Sequence, residues 1–190
     1  MKSNDLKRYS VNMRLPDFGS EAQFRLLNSR LLIVGSGALG STAAMYCAGS
    51  GVGKIGIVDF DTVDLSNLQR QVFFRENHAG KSKAMTIAEN IRLLNSDCEA
   101  EAILHPLTNS NAEELISEYD FVIDAADNPA TTFLIEDTCV KLDKSYVTAG
   151  VAEYHAQLMT HTPSTALFSD IFPRPQRENN SLSDMMPCTG

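Results

Sequence analysis

Apolar residues fall along this chain in short runs separated by glycines and polar turns. Leu31-Leu32-Ile33-Val34 is a continuous apolar run ending on Gly35, the pattern of a strand buried on both faces. Ala38 to about Ala48 reads as a helix closed by Gly49-Ser50-Gly51-Val52-Gly53, and Lys54 to Asp59 as a second strand. Together these segments spell a βαβ unit. A long polar loop follows, from Asp61 to about Gly80. Lys81 to Leu94 carries Ala84, Ile87, Ala88, Ile91 and Leu94 at helical spacing, with Asn95 as the stop. Glu99 to Leu104 alternates like a strand, Ala112 to Glu118 reads as a short helix, and Asp120 to Ala125 as another buried strand. Pro129 suits the first turn of a helix running to about Leu142, and Ser145 to Ala149 and Glu153 to Thr162 close the series as strands. Strands alternating with helices predict an α/β fold, a doubly wound and mainly parallel sheet with helices on both faces. Two flanks stand outside this pattern. Residues 1–30 form a polar arm and a short amphipathic helix, and residues 163–190, rich in proline, asparagine and serine, are expected to be an irregular loop. Residues 31–162 are the expected functional domain.

Composition narrows the picture. A chain of 190 residues with 43% apolar and 21% charged residues fits one soluble globular domain with a real core. A net charge of −8 argues against nucleic acid or an anionic membrane as a general partner, while leaving room for a local basic pocket. The apolar runs are too short to span a bilayer. Met1 to Ser10 is polar and charged, unlike a secretory leader. The cysteines at 47, 98, 139 and 188 show no C-x-x-C spacing. The expectation is a cytoplasmic protein with reduced thiols.

The candidate chemistry begins at Gly35-Ser36-Gly37-Ala38-Leu39-Gly40, a G-x-G-x-x-G placed between a strand and a helix. Gly35, Gly37 and Gly40 allow a tight turn and let backbone N–H groups and a helix N-terminus approach a phosphate. Asp59 ends the following strand, where an acid accepts hydrogen bonds from ribose hydroxyls. This Rossmann-like arrangement predicts nucleotide binding and leaves NAD and ATP both open.

The next segment separates them. Asp59-Phe60-Asp61-Thr62-Val63-Asp64-Leu65-Ser66-Asn67-Leu68-Gln69-Arg70-Gln71, followed by Gly80-Lys81-Ser82-Lys83, closely resembles the signature of the ThiF/MoeB/HesA, ubiquitin-activating type of adenylyltransferase. The resemblance extends from Arg8-Tyr9 through Asp127-Asn128 to Gly150. It implies adenylation, by Mg-ATP, of the C-terminal glycine carboxylate of a ubiquitin-like sulfur-carrier protein, with release of pyrophosphate. It makes Asp127 the magnesium ligand and Asp59 the ribose contact. Asn67, Arg70 and Lys83 become phosphate contacts, with Asp61 and Asn128 also at the nucleotide. The residue types suit that chemistry: joining a carboxylate to a phosphate brings two anions together, so catalysis needs cations and a metal ion more than covalent help. Arg70 offers a planar fork and Lys83 a point charge.

Three departures from the family pattern shape the remaining expectations. Simple bacterial members begin Arg-Tyr-x-Arg-Gln, and their second arginine reaches across a dimer. Here that position is Val11, and Arg14 is either its substitute or a surface charge. A homodimer, or a heterodimer with a related chain, is expected. Leu167 and Asp170 occupy the positions of two zinc cysteines, so no zinc is expected. Cys188 stands near the place where some relatives carry an acyl-capturing cysteine, and it is either that nucleophile or a tail thiol without a role. Relatives also continue beyond Gly190, which makes this chain either a truncated or a short form. Three rivals remain: a relative adenylating a small-molecule, peptide or tRNA-base carboxylate, as the threonylcarbamoyladenosine dehydratases do; a non-catalytic half of a heterodimer; and an NAD-dependent dehydrogenase.

Overall fold

The apolar runs become five parallel strands and one antiparallel strand in the computed structural model of the protein, which describes residues 3–174. The strands are β1 (Arg30–Val34), β2 (Lys54–Val58), β3 (Glu99–Ile103), β4 (Phe121–Asp124), β5 (Ser145–Ala152) and β6 (His155–His161), in the order β3-β2-β1-β4-β5-β6. Strands β1 to β5 pair in parallel, and β6 returns antiparallel to β5 with Ala152 opposite His155. The chain leaves β1 toward β2 on one side and comes back to β4 on the other. The C-terminal ends of β1 and β4 are therefore the switch point, where open α/β sheets bind ligands.

Residues on β1 alternate between two helical layers. Leu31 and Ile33 join a core with Ala44 and Ala48 of α3 (Ala38–Ser50) and Ile87 and Ile91 of α4 (Lys83–Leu94). Leu32 and Val34 join the opposite core, with Ile116 of α5 (Ala112–Ser117) and Ile135 and Cys139 of α6 (Pro129–Lys141). Burial on both faces explains why β1 reads as an unbroken apolar run.

The flanks carry more structure than their polarity suggests. The arm contains α1 (Ser3–Arg8), a 3-10 turn at Asn12–Arg14 and α2 (Gly19–Leu27). Arg8 donates to Leu94 O (3.0 Å), Asn95 Nδ2 donates to the buried Tyr9 hydroxyl (2.8 Å), and Gln23 Nε2 donates to Ser50 O (2.9 Å). These contacts fasten the arm to the C-terminal ends of α3 and α4. Beyond β6, α7 (Phe168–Ile171) replaces part of the expected irregular loop. Phe168 is buried, edge-on to Phe133 (5.4 Å between centroids) and stacked on Phe172 (4.6 Å). Buried Glu136 accepts from Tyr146 Oη (3.0 Å) and Ser169 N (3.1 Å), and Arg174 pairs with both Glu136 and Asp137. One aromatic contact and one buried carboxylate thus dock this segment on α6. Cys188 lies outside the described residues.

Candidate functional site

The glycine turn after β1 is shaped by close contacts. Gly35 has φ +91°, and a Cβ there would stand 2.5 Å from Ala125 O; one on Gly40 would stand 1.8 Å from Gly35 O. Gly40 thus lets α3 pack onto the turn and does not itself line the cavity. Gly37 differs: a Cβ there would meet only Gln71 Nε2, at 3.6 Å. It is the N-cap of α3 without a side-chain cap, leaving the helix N-terminus open to a ligand.

Asp59 locks this turn to the end of β2. Its Oδ2 accepts from Ser36 N and Ser36 Oγ, both at 2.7 Å, and its Oδ1 accepts from Asp61 N at 2.8 Å. A carboxylate has further lone pairs, so Asp59 can hold the turn and still receive a ribose hydroxyl.

The polar loop after β2 is ordered by its own capping. Asp64 Oδ1 accepts from Ser66 N (2.8 Å) and opens a 3-10 turn at Leu65–Asn67. That hydrogen bonding, led by Ser66, holds the Asp64 carboxyl below the usual range. Arg70 N and Gln71 N then donate to Asn67 O (3.1 and 2.9 Å), so Asn67, Arg70 and Gln71 share one side at helical spacing. The loop is zipped to the segment before α4: Val63 N donates to Lys81 O and Gly80 N to Val63 O, both at 2.8 Å. Ser82 N-caps α4, which puts Lys83 in its first turn. A cation there opposes the helix dipole. Its side chain is 9% exposed, and Nζ donates to Asp61 Oδ2 at 3.0 Å.

The β4–α6 turn supplies the opposite wall. Asp124 ends β4 and is buried, accepting from Thr148 Oγ1 (2.8 Å) and Ala126 N (3.1 Å). Burial pushes its carboxyl above the ordinary range, against the pull of hydrogen bonds from Thr132, Thr148 and Ala126. This buried anchor projects Asp127 outward. Asn128 N-caps α6 by accepting from Thr131 N (2.9 Å), with Pro129 following.

A cavity of about 510 Å³ lies between these walls, a size suited to a nucleotide. Gly35, Gly37, Asp59, Asp61 and Asn67 line it, as do Arg70, Lys83, Asp127 and Asn128. Phe60, Pro106 and Leu107 add an apolar end, and Gln71 a buried amide; none of these had been singled out from the sequence. Pro106 and Leu107 follow β3, so only topology brings them here. A smaller apolar recess of about 220 Å³ adjoins it, sharing Gly37, Arg70 and Asp127 and reaching Ala149, Gly150 and Val151 on β5. Arg14 lines neither. It is exposed on an arm fastened at the far end of α3, whose 13 residues span about 20 Å.

The lining holds four carboxylates (Asp59, Asp61, Asp64, Asp127) and two cations (Arg70, Lys83). Among the described residues no three His, Cys, Asp or Glu stand together as a metal cage. Mg²⁺ takes one or two carboxylates and fills its shell with waters and phosphate oxygens. Asp127 therefore fits a magnesium ion held jointly with a polyphosphate.

Comparisons with known proteins identify the family of this chain. The sequence matches the ThiF family model over residues 9–187. It is 38% identical over 176 residues to the adenylyltransferase and sulfurtransferase MOCS3 of Dictyostelium discoideum, covering 92% of this chain and 41% of that protein. MOCS3 of Drosophila ananassae is 41% identical over 161 residues, with 85% and 36% covered. The chain spans about two fifths of the length of these relatives. Among solved structures, the E. coli tRNA N6-threonylcarbamoyladenosine dehydratase TcdA in complex with ATP matches with a TM-score of 0.76 at 29% identity, over 81% of this chain and 63% of that one. E. coli MccB with ATP matches with a TM-score of 0.77 at 25% identity, over 89% and 51%. By sequence and by fold, this chain belongs to the ThiF family.

Proposed function

We propose that this chain is the adenylation unit of an ATP-dependent adenylyltransferase, activating the C-terminal glycine carboxylate of a ubiquitin-like sulfur carrier. The observation carrying this reading is the convergence of Asp59, Asn67, Arg70, Lys83 and Asp127 on one cavity around the open N-terminus of α3. Relatives named adenylyltransferases and family structures holding ATP support it.

The division of labour follows from placement. Asp59 receives the ribose while bracing the glycine turn. The helix N-terminus and Asn67 hold phosphate oxygens. The apolar recess beside Asp127 and Arg70 admits the acyl chain, bringing its carboxylate to the α-phosphate. A carboxylate oxygen forms a bond to the α-phosphorus as the bond to the pyrophosphate oxygen breaks, and the departing pyrophosphate takes the electron pair. Arg70 and Lys83 stabilise the charge growing on that leaving group. Magnesium, bound with Asp127, would supply further neutralisation of the phosphates.

The reading places the protein in the cytoplasm, without zinc, and as a dimer in which Arg14 of one subunit serves the cavity of the other. Mixing Arg14→Ala with Arg70→Ala chains should then restore part of the activity, because one composite site is intact; absence of rescue in confirmed dimers removes Arg14 from the site. The likeness to TcdA favours a second reading, adenylation of a tRNA-base or small carboxylate. Mass spectrometry after incubation with Mg-ATP decides between them. An AMP adduct on the carrier's terminal glycine is expected; an adduct only on the tRNA base selects the second reading, and none on either, with tight NADH binding, defeats both.

A further inference from the structure

One polar group in the cavity has no task in this scheme. Gln71 is 2% exposed and lines the cavity beside Asn67, Arg70 and Lys83, yet its Oε1 is buried without a hydrogen-bond partner among the described residues. A buried amide oxygen left unpaired is costly and uncommon. The residue is not loosely held: its N–H donates to Asn67 O (2.9 Å) and its carbonyl accepts from Phe74 N (3.0 Å). Its Nε2 lies toward Gly37, 3.6 Å from where a Cβ on that glycine would stand. Oε1 is thus an acceptor kept in place without a donor.

A donor that arrives with the ligand fits this acceptor, and position limits which one. Gln71 does not line the apolar recess that admits the acyl chain; it lines the larger cavity with Asn67, Arg70 and Lys83, the residues assigned above to the phosphates. An ionised triphosphate carries acceptors only, and Arg70 and Lys83 are engaged by its oxygens. The ribose hydroxyls of ATP are assigned to Asp59 and its amino group lies on the base, so the donors nearest the phosphates are waters on the metal that accompanies them. Mg²⁺ dehydrates reluctantly and keeps several waters, whose polarised O–H groups seek acceptors such as an amide oxygen. We propose that Gln71 Oε1 accepts a hydrogen bond from a water of the magnesium ion bound with ATP, making Gln71 a positioning residue for the metal. This rests on the reading of the cavity as an ATP site.

Calorimetric titration of ATP at graded Mg²⁺ tests it, with wild type, Gln71→Met and Gln71→Glu compared and thermal melting confirming that each is folded. Methionine keeps the volume and removes the acceptor; glutamate keeps the acceptor and removes the amide donor. Gln71→Met should raise the half-saturating Mg²⁺ by about three- to tenfold, the effect of one lost hydrogen bond, and leave metal-free ATP affinity unchanged. Gln71→Glu should reach half-saturation at no more Mg²⁺ than wild type, since a charged acceptor binds the water more strongly. Unchanged Mg²⁺ dependence in Gln71→Met overturns the inference. A fall in metal-free ATP affinity in the uncharged Gln71→Met also overturns it, because the amide then donates to phosphate. Failure of wild type to bind ATP at all defeats the nucleotide reading first and this inference with it.

Discussion

Replacing Lys83 with methionine should separate stability from function. The Lys83 ammonium stands at the positive end of α4, where a cation is disfavoured by about 0.3–1 kcal/mol. Its pairing with Asp61 acts in the other direction. Asp61 is 56% exposed but Lys83 only 9%, so the attraction of the pair is set against the cost of holding the ammonium out of water, and the carboxylate returns to water when the lysine is lost. Methionine keeps most of the buried stem packing. The opposing terms are of similar size, so the net change should stay below about 1 kcal/mol, a melting shift of no more than about 2–4 °C for a domain of this size. Function should respond far more, since loss of one preorganised donor costs about 2.7–4 kcal/mol, or roughly a hundred- to a thousandfold in rate. Differential scanning calorimetry and ATP–pyrophosphate exchange on the same preparation give the two numbers. A fall in melting temperature of more than about 10 °C with exchange retained would refute the reasoning and make Lys83 a structural cation.

Two further substitutions and one labelling experiment probe the rest of the account. Gly40→Ala puts a Cβ 1.8 Å from Gly35 O and should sharply lower the melting temperature. Gly37→Ala meets nothing closer than 3.6 Å, so it should stay folded and lose ATP affinity; the reverse order of effects in calorimetry contradicts both assignments. Burial pushes the thiols of Cys98 and Cys139 up to about 11 and about 12. Both should resist alkylation of the native protein at neutral pH and react only on unfolding. Rapid native labelling of either, located by peptide mass spectrometry, would show that these layers open more readily than their packing implies.

Much of this was legible in the sequence because local patterns and the fold agree. The run from Leu31 to Val34 is apolar throughout because its residues face two cores in alternation. The cap at Asp64 and the spacing of Asn67, Arg70 and Gln71 are written within a few residues of one another. What stayed hidden depends on distant contacts. Asp124 and Asp127 sit three positions apart in one turn, and only burial under Thr148 makes the first an anchor and leaves the second at the cavity. The segment after β6 looks irregular because its order comes from Phe133 and Glu136 on α6. Pro106 and Leu107 reach the site through strand order, and the antiparallel return of β6 follows from a tight turn with no glycine to mark it. The orphan oxygen of Gln71 needs coordinates to be seen at all.

Exchange of labelled pyrophosphate into ATP tests the central claim most directly, because it requires nucleotide, acyl carboxylate and leaving-group chemistry to meet in one cavity. With Mg²⁺ and a carrier protein ending in glycine, wild type should exchange. Arg70→Ala should lose about a hundred- to a thousandfold in rate, Arg70→Lys should remain poor because a point charge cannot replace a planar fork, and Asp127→Asn should recover in part as Mg²⁺ is raised. Near-normal exchange in Arg70→Ala and Asp127→Asn would contradict the account, placing the reaction outside the cavity formed at the ends of β1 and β4.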